Sequence, residues 1–180
     1  MVGCLRYLTH TRPDICFSVG YVSRFIQEPT QTHYQVLKKI MRYIKGTSNF
    51  GVFYPKGGMN KLCGFSDSSH SVDIDDGKST TGVVFYFGNA PITWNSQKQN
   101  TVALSSCQAE FMVTTSAACQ ALWLRGLVAE ITGEKEETII LRVDNQSAIA
   151  LMKNLVFHGR SKHIHTRYHF IRECVEREQV

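Results

Sequence analysis

The chain has 180 residues, a formal net charge of +5 and 43% hydrophobic residues, enough apolar material for a folded core, and no run of about 18 or more apolar residues that would span a membrane. The first residues lack the basic-then-apolar build of a secretory signal, so the expected address is the cytosol or nucleus. Cys4, Cys16, Cys63, Cys107, Cys119 and Cys174 are widely spread with no CxxC pair, which favours buried reduced thiols over disulfides or a zinc cluster.

The first fifty residues read as two helices. One opens at Pro13 and Asp14, runs to about residue 26, and is stopped by Glu28-Pro29-Thr30, because the residue before proline is pushed out of helical geometry. The second is capped by Thr32 and ended by Gly46; Leu37, Ile40, Met41 and Ile44 form its apolar stripe, and Lys38, Lys39, Arg42 and Lys45 take the other side. That basic face reads either as solvated surface or as a contact for a phosphate backbone. From Gly51 the pattern changes to short β-type runs. A brief strand over 51–54 precedes Pro55-Lys56-Gly57-Gly58, the expected boundary between an N-terminal piece (1–58) and the main domain (59–180). Strands follow at 61–66, 81–87 and 90–95, the last two joined at Gly88-Asn89 as a hairpin. A long helix over 106–131, a strand over 138–143, a short helix over 146–153, a basic loop and a helix over 162–178 complete an α/β arrangement, a mixed sheet flanked by helices.

Three acids occupy unusual positions in this pattern. Asp67 closes the apolar run Leu62-Cys63-Gly64-Phe65-Ser66, and Asp144 closes Ile139-Ile140-Leu141-Arg142-Val143. Both lie at strand ends, where open sheets place their sites. Glu110 heads a helical stripe through Thr114, Ala117, Ala121, Leu124, Val128 and Ile131, behind a Ser105-x-x-Gln108 capping box, so its carboxylate points toward the sheet. Burying such groups together is costly unless cations neutralise them. Oxygen ligands without cysteine suit magnesium or manganese, and two ions about 4 Å apart can serve phosphodiester cleavage. Taken singly, each aspartate reads more commonly as a turn or helix cap, a reading that weakens when the three acids are taken together.

Several further segments carry a resemblance. They are Arg12-Pro13-Asp14-Ile15, Arg42-Tyr43-Ile44-Lys45-Gly46-Thr47, Gly64-Phe65-Ser66-Asp67, Lys78-Ser79-Thr80-Thr81-Gly82, Ala103-Leu104-Ser105-Ser106-Cys107-Gln108-Ala109-Glu110, Asp144-Asn145-Gln146-Ser147-Ala148 and Phe157-His158-Gly159-Arg160-Ser161-Lys162-His163-Ile164, followed by Arg167-Tyr168-His169-Phe170-Ile171-Arg172. In this order they resemble the ribonuclease H domain of copia-type retrotransposons, preceded by the end of the reverse transcriptase. The resemblance implies a five-stranded mixed sheet and a remnant of the reverse transcriptase's end and connection region at 1–58. It further implies two-metal (Mg2+, or Mn2+) hydrolysis of RNA in RNA/DNA hybrids, with Asp67, Glu110 and Asp144 on the family's first three metal-binding acids. Two positions depart from the family. His165 replaces a fourth acid, and imidazole is a poor magnesium ligand, so one ion should bind less tightly. Asp67-Ser68-Ser69-His70 replaces the usual Asp-Ser-Asp-Trp. A module that binds hybrids or protein partners without cutting is the alternative reading.

Lys98 and Gln99, before the long helix, Asn145, and Arg160 with Lys162 before the last helix are the candidate nucleic-acid contacts. His158 is a candidate for proton transfer or product release. The run His163, His165, His169 lacks a suitably spaced fourth zinc ligand, and Asp73-Ile74-Asp75-Asp76-Gly77 has Val84 where a calcium loop needs glutamate, so it reads as a turn. Trp94 and Trp123 are expected in the core.

Overall fold

The computed structural model describes residues 1–57, 61–70, 73, 75–133, 137–153 and 162–180. The N-terminal segment holds three α-helices, one more than apolar spacing predicts: α1 (Val2–Leu8), α2 (Cys16–Val22), flanked by single 3-10 turns, and α3 (Gln31–Gly46). At seven residues α1 and α2 are too short to persist alone, and packing sustains them: Leu5, Ile15, Val19, Val22, Leu37 and Ile40 form one cluster. The cap of α3 is Thr30, two residues earlier than expected. Its hydroxyl accepts from the His33 N–H, and its own N–H donates to His33 Nδ1 at 3.1 Å. Arg12 ties the segment's two motifs together. Its guanidinium donates to Asp14 Oδ2 (2.7 Å) and to the carbonyl and hydroxyl of Thr47 (3.0 and 2.7 Å), while Tyr43 donates to Asp14. The guanidinium holds the Asp14 carboxyl below its ordinary range.

β1 (Leu62–Ser69), β2 (Thr80–Phe87), β3 (Ala90–Lys98) and β4 (Ile140–Val143) form a mixed sheet in the order β3-β2-β1-β4, antiparallel except for the parallel pair β1 and β4. Among the described residues there are four strands, a correction to the five expected. The strand expected at 51–54 is unpaired: Phe53 and Tyr54 are both exposed, leaving no buried face to fix a register. At the β2–β3 hairpin Gly88 takes a positive φ of 60°, the glycine-first turn that suits strand twist.

α4 (Ser106–Thr132) crosses the inner face of the sheet, with α5 (Gln146–Lys153) and α6 (Lys162–Glu176) packed around it. Ser105 caps α4 as expected, accepting from Gln108 N, although the Gln108 side chain reaches back to Leu104 N rather than Ser105 N. Ala117 and Ala121 are fully buried, and such small side chains let the helix lie close to Phe85 and Ile139, while Ala118 packs toward α5 and α6. The stripe is buried from Glu110 to Leu124 but not at Ile131, which is exposed where α4 outruns the sheet.

Among the described residues, the outer face of the sheet is covered at its β3 end, by the N-terminal helices. Trp94 Nε1 donates to the Thr9 carbonyl (2.8 Å), so Trp94 packs at this junction, and Trp123, expected in the core, is 59% exposed on α4. A second tie comes from the 73–77 turn. Asp73 is 7% exposed and pairs with Arg24 of the N-terminal segment and with Lys98, while Arg24 also donates to Thr80 Oγ1 (2.9 Å). The cysteines are all free thiols; Cys174 is buried, but Cys4 and Cys119 are exposed, against expectation. No helix among the described residues is long and apolar enough to cross a membrane.

Candidate metal centre

Strand alternation sends Gly64, Ser66 and Ser68 toward α4 and Asp67 to the outer side. Gly64 is required there, since a Cβ would stand 2.5 Å from the Phe85 ring and 2.8 Å from Leu141. The close approach brings Glu110, in the second turn of α4, against β1. Its Oε1 accepts from the Ser68 N–H at 2.7 Å, and one turn later Thr114 Oγ1 lies 3.5 Å from Ser66 Oγ. The parallel register pairs Cys63 with Ile140 through Ser66 with Val143; β4 ends there, so Asp144 is the first residue beyond it and stands beside Asp67, which lies inside β1 rather than at its end as expected, because pairing with β2 carries β1 on to Ser69. Ligand oxygens of Asp67, Glu110 and Asp144 all lie within 4.8 Å of one another.

This cluster is electrostatically incomplete. Glu110 is 5% exposed and its Oε2 is enclosed without a hydrogen-bond partner. Burial, then the charges of Asp67 and Asp144, push its carboxyl up to about 7, against the lowering effect of the Ser68 N–H. An orphaned carboxylate oxygen facing two further carboxylates fits a divalent cation, and the all-oxygen donor set fits magnesium or manganese. Asp67 and Asp144 are exposed, so the cluster is open to solvent on one side while α4 lies on the other.

The other expected contacts are placed differently. Lys98 Nζ is held by Asp73 and by Asp76 Oδ1 (2.9 Å), and this ammonium lowers the Asp76 carboxyl to about 2. Gln99, expected to face nucleic acid, is 7% exposed: its Nε2 donates to Ser68 Oγ and the Ala109 carbonyl, both at 3.1 Å, joining the two residues adjacent to Asp67 and Glu110. Asn145 caps α5, its Oδ1 accepting from Ala148 N at 2.9 Å. His158 and Arg160 lie outside the described residues; Lys162 and His165 belong to α6, but their side chains are likewise outside what is described. Sequence reasoning missed the structural role of Gln99, which no local pattern signals. It also passed over Arg142, although a single charge inside an apolar strand, two residues before Asp144, was visible.

No protein-family model matches the chain. The retrovirus-related Pol polyprotein from transposon RE1 of Arabidopsis thaliana is 41% identical over 176 residues, 98% of this chain and 12% of that protein. The corresponding polyprotein from transposon TNT 1-94 of Nicotiana tabacum is 40% identical over 181 residues, 99% of this chain and 13% of that protein. Secreted RxLR effector protein 161 of Plasmopara viticola is 40% identical over 124 residues, 68% of this chain and 87% of that protein. Among solved structures, LC11-RNase H1, isolated from compost, aligns with a TM-score of 0.46 and 18% identity over 66% of this chain and 79% of its own. RNase H1 from Halobacterium salinarum aligns with a TM-score of 0.42 and 15% identity over 64% and 77%. The chain thus spans a short segment, about an eighth, of the transposon polyproteins it matches, and its homologues are retrovirus-related Pol polyproteins of transposons.

Proposed function

We propose that this chain is a ribonuclease H module of the copia type, which hydrolyses the RNA strand of RNA/DNA hybrids with magnesium ions, manganese being the alternative. The observation that carries the reading is the convergence of Asp67, Glu110 and Asp144 within 4.8 Å of one another, from two adjacent parallel strands and one helix. These three would hold the ions, which when bound stabilise the attacking and leaving oxygens of phosphodiester hydrolysis. The chain's own part is rigidity and proton control. The Ser68 N–H fixes one oxygen of Glu110, Gln99 braces Ser68 against the first turn of α4, and Glu110 must shed its proton to serve as a ligand. Residues 1–58 belong to this reading as the end of a reverse transcriptase and 59–180 as the ribonuclease H-like domain; the separate apolar cluster of the N-terminal helices supports the division.

A module that binds hybrids or protein partners without cutting is the second reading, favoured by His165 at the position of the fourth acid. Cleavage of a fluorescent RNA/DNA hybrid in magnesium and in manganese separates the two. The expected result is metal-dependent cleavage that Asp144→Asn abolishes; a folded protein that cuts in neither metal overturns the enzyme reading. His165→Asp should raise the magnesium-dependent rate severalfold, and an unchanged or lower rate would show that the fourth position is not limiting.

A further inference from the structure

The strand registers arrange the outer face of the sheet in two parallel rows. Arg142 lies opposite Phe65, Phe65 opposite Val84, and Val84 opposite Trp94. In the next row Asp67 lies opposite Gly82 and Gly82 opposite Ser96, with Asp144 at the head beside Asp67. The carboxylates therefore continue into a floor of small residues, and an apolar ridge ending in a guanidinium runs alongside. This cleft, about 650 Å³ in volume, ends at the N-terminal helices, where Phe17 of α2 is 51% exposed. The Arg142 guanidinium is held 5.4 Å above the Phe65 ring and makes no salt bridge among the described residues.

We propose that this cleft seats one strand of the nucleic-acid substrate, with Arg142 binding the phosphate next to the one at the carboxylates. The inference rests on the ribonuclease H reading and adds to it a substrate-binding residue and a wall supplied by the N-terminal segment. Asp67 and Asp144 require cations before an anionic strand can approach, whereas Arg142 offers a permanent positive charge one step along the same strands, about 7 Å away. Stacking over Phe65 holds the guanidinium in place without neutralising it, so its donors remain available to phosphate oxygens. Phe65, Val84 and Trp94 offer the apolar surface along which sugars and bases lie.

The test is a fluorescence-anisotropy titration of a short labelled RNA/DNA hybrid, in calcium over a series of salt concentrations, with the full chain and with Arg142→Gln, Arg142→Lys and Arg177→Gln. Arg142→Gln should weaken binding about fivefold to tenfold and reduce the salt slope by about one. Arg142→Lys should keep the slope, and Arg177→Gln, on an exposed i,i+4 pair of α6, should behave as wild type. If Arg142 only steadied Asp144, Arg142→Gln would alter metal binding measured by calorimetry and leave the salt slope unchanged. That result overturns the inference while the ribonuclease H reading stands. A wild-type chain that neither binds nor cuts the hybrid overturns both.

Discussion

The molecule contains two acidic clusters that are treated in opposite ways. Asp73 and Asp76 meet Lys98 and Arg24, and both carboxyls fall below their ordinary values. Asp67, Glu110 and Asp144 meet no cation among the described residues, and Glu110 rises instead. Both clusters are built around strands of one sheet. The difference lies in what each does: the first fastens the N-terminal helices to the sheet, while the second is left unsatisfied, a feature of sites that take their counter-charge from a ligand.

The largest effect expected is on the pH dependence of the metal-free protein. The folded-state pKa of Glu110 is raised from 4.5 to about 7, so its contribution is full below pH 4.5 and is lost as pH rises toward 7. At 1.36 kcal/mol per unit the loss is on the order of 3 kcal/mol. Glu110→Gln should therefore melt at higher temperature than wild type at pH 8 in EDTA and show no such gain at pH 4. Equal melting at both would show that the cluster is not frustrated. The paired cluster should respond in the reverse sense, since a lowered carboxyl stabilises above its ordinary value and stops doing so as pH falls through its folded one. Asp73→Ala at pH 7 should cost about 2 kcal/mol and expose the N-terminal segment to limited proteolysis; an unchanged digestion pattern would break the assignment of Asp73 as the fastener. The smallest effect is that of the ion. Magnesium at ten times its dissociation constant should stabilise wild type by about 1.4 kcal/mol at pH 8, and Glu110→Gln by much less. An equal gain in both would remove Glu110 from the ligand set.

Much of the candidate site was legible because strand and helix periods are local properties. The close of an apolar run marked Asp67 and Asp144, although β1 runs two residues past Asp67, and the helical stripe turned Glu110 toward the sheet. The same periods overreached elsewhere. They put Trp123 in the core and a strand at 51–54, because apolar character does not say whether a second surface is present to cover it. The intramolecular partners of Lys98 and Gln99 were not legible for a related reason: Asp73, Ser68 and Ala109 come from other elements, and separations along the chain do not reveal which side chains meet.

The sequence by itself determined the type and order of the elements from β1 to α6, the capping of α4 by Ser105, and the three acids, since each depends on residues within a few positions of one another. Only the tertiary structure decided the offset of β1 against β4, which sets Asp67 beside Asp144. It also decided the closeness of α4 that Gly64 permits, the burial that raises Glu110, and the docking of the N-terminal helices beside the cleft. These depend on packing between segments far apart in the chain, where the free energy of burying shared surface, rather than local preference, selects the arrangement.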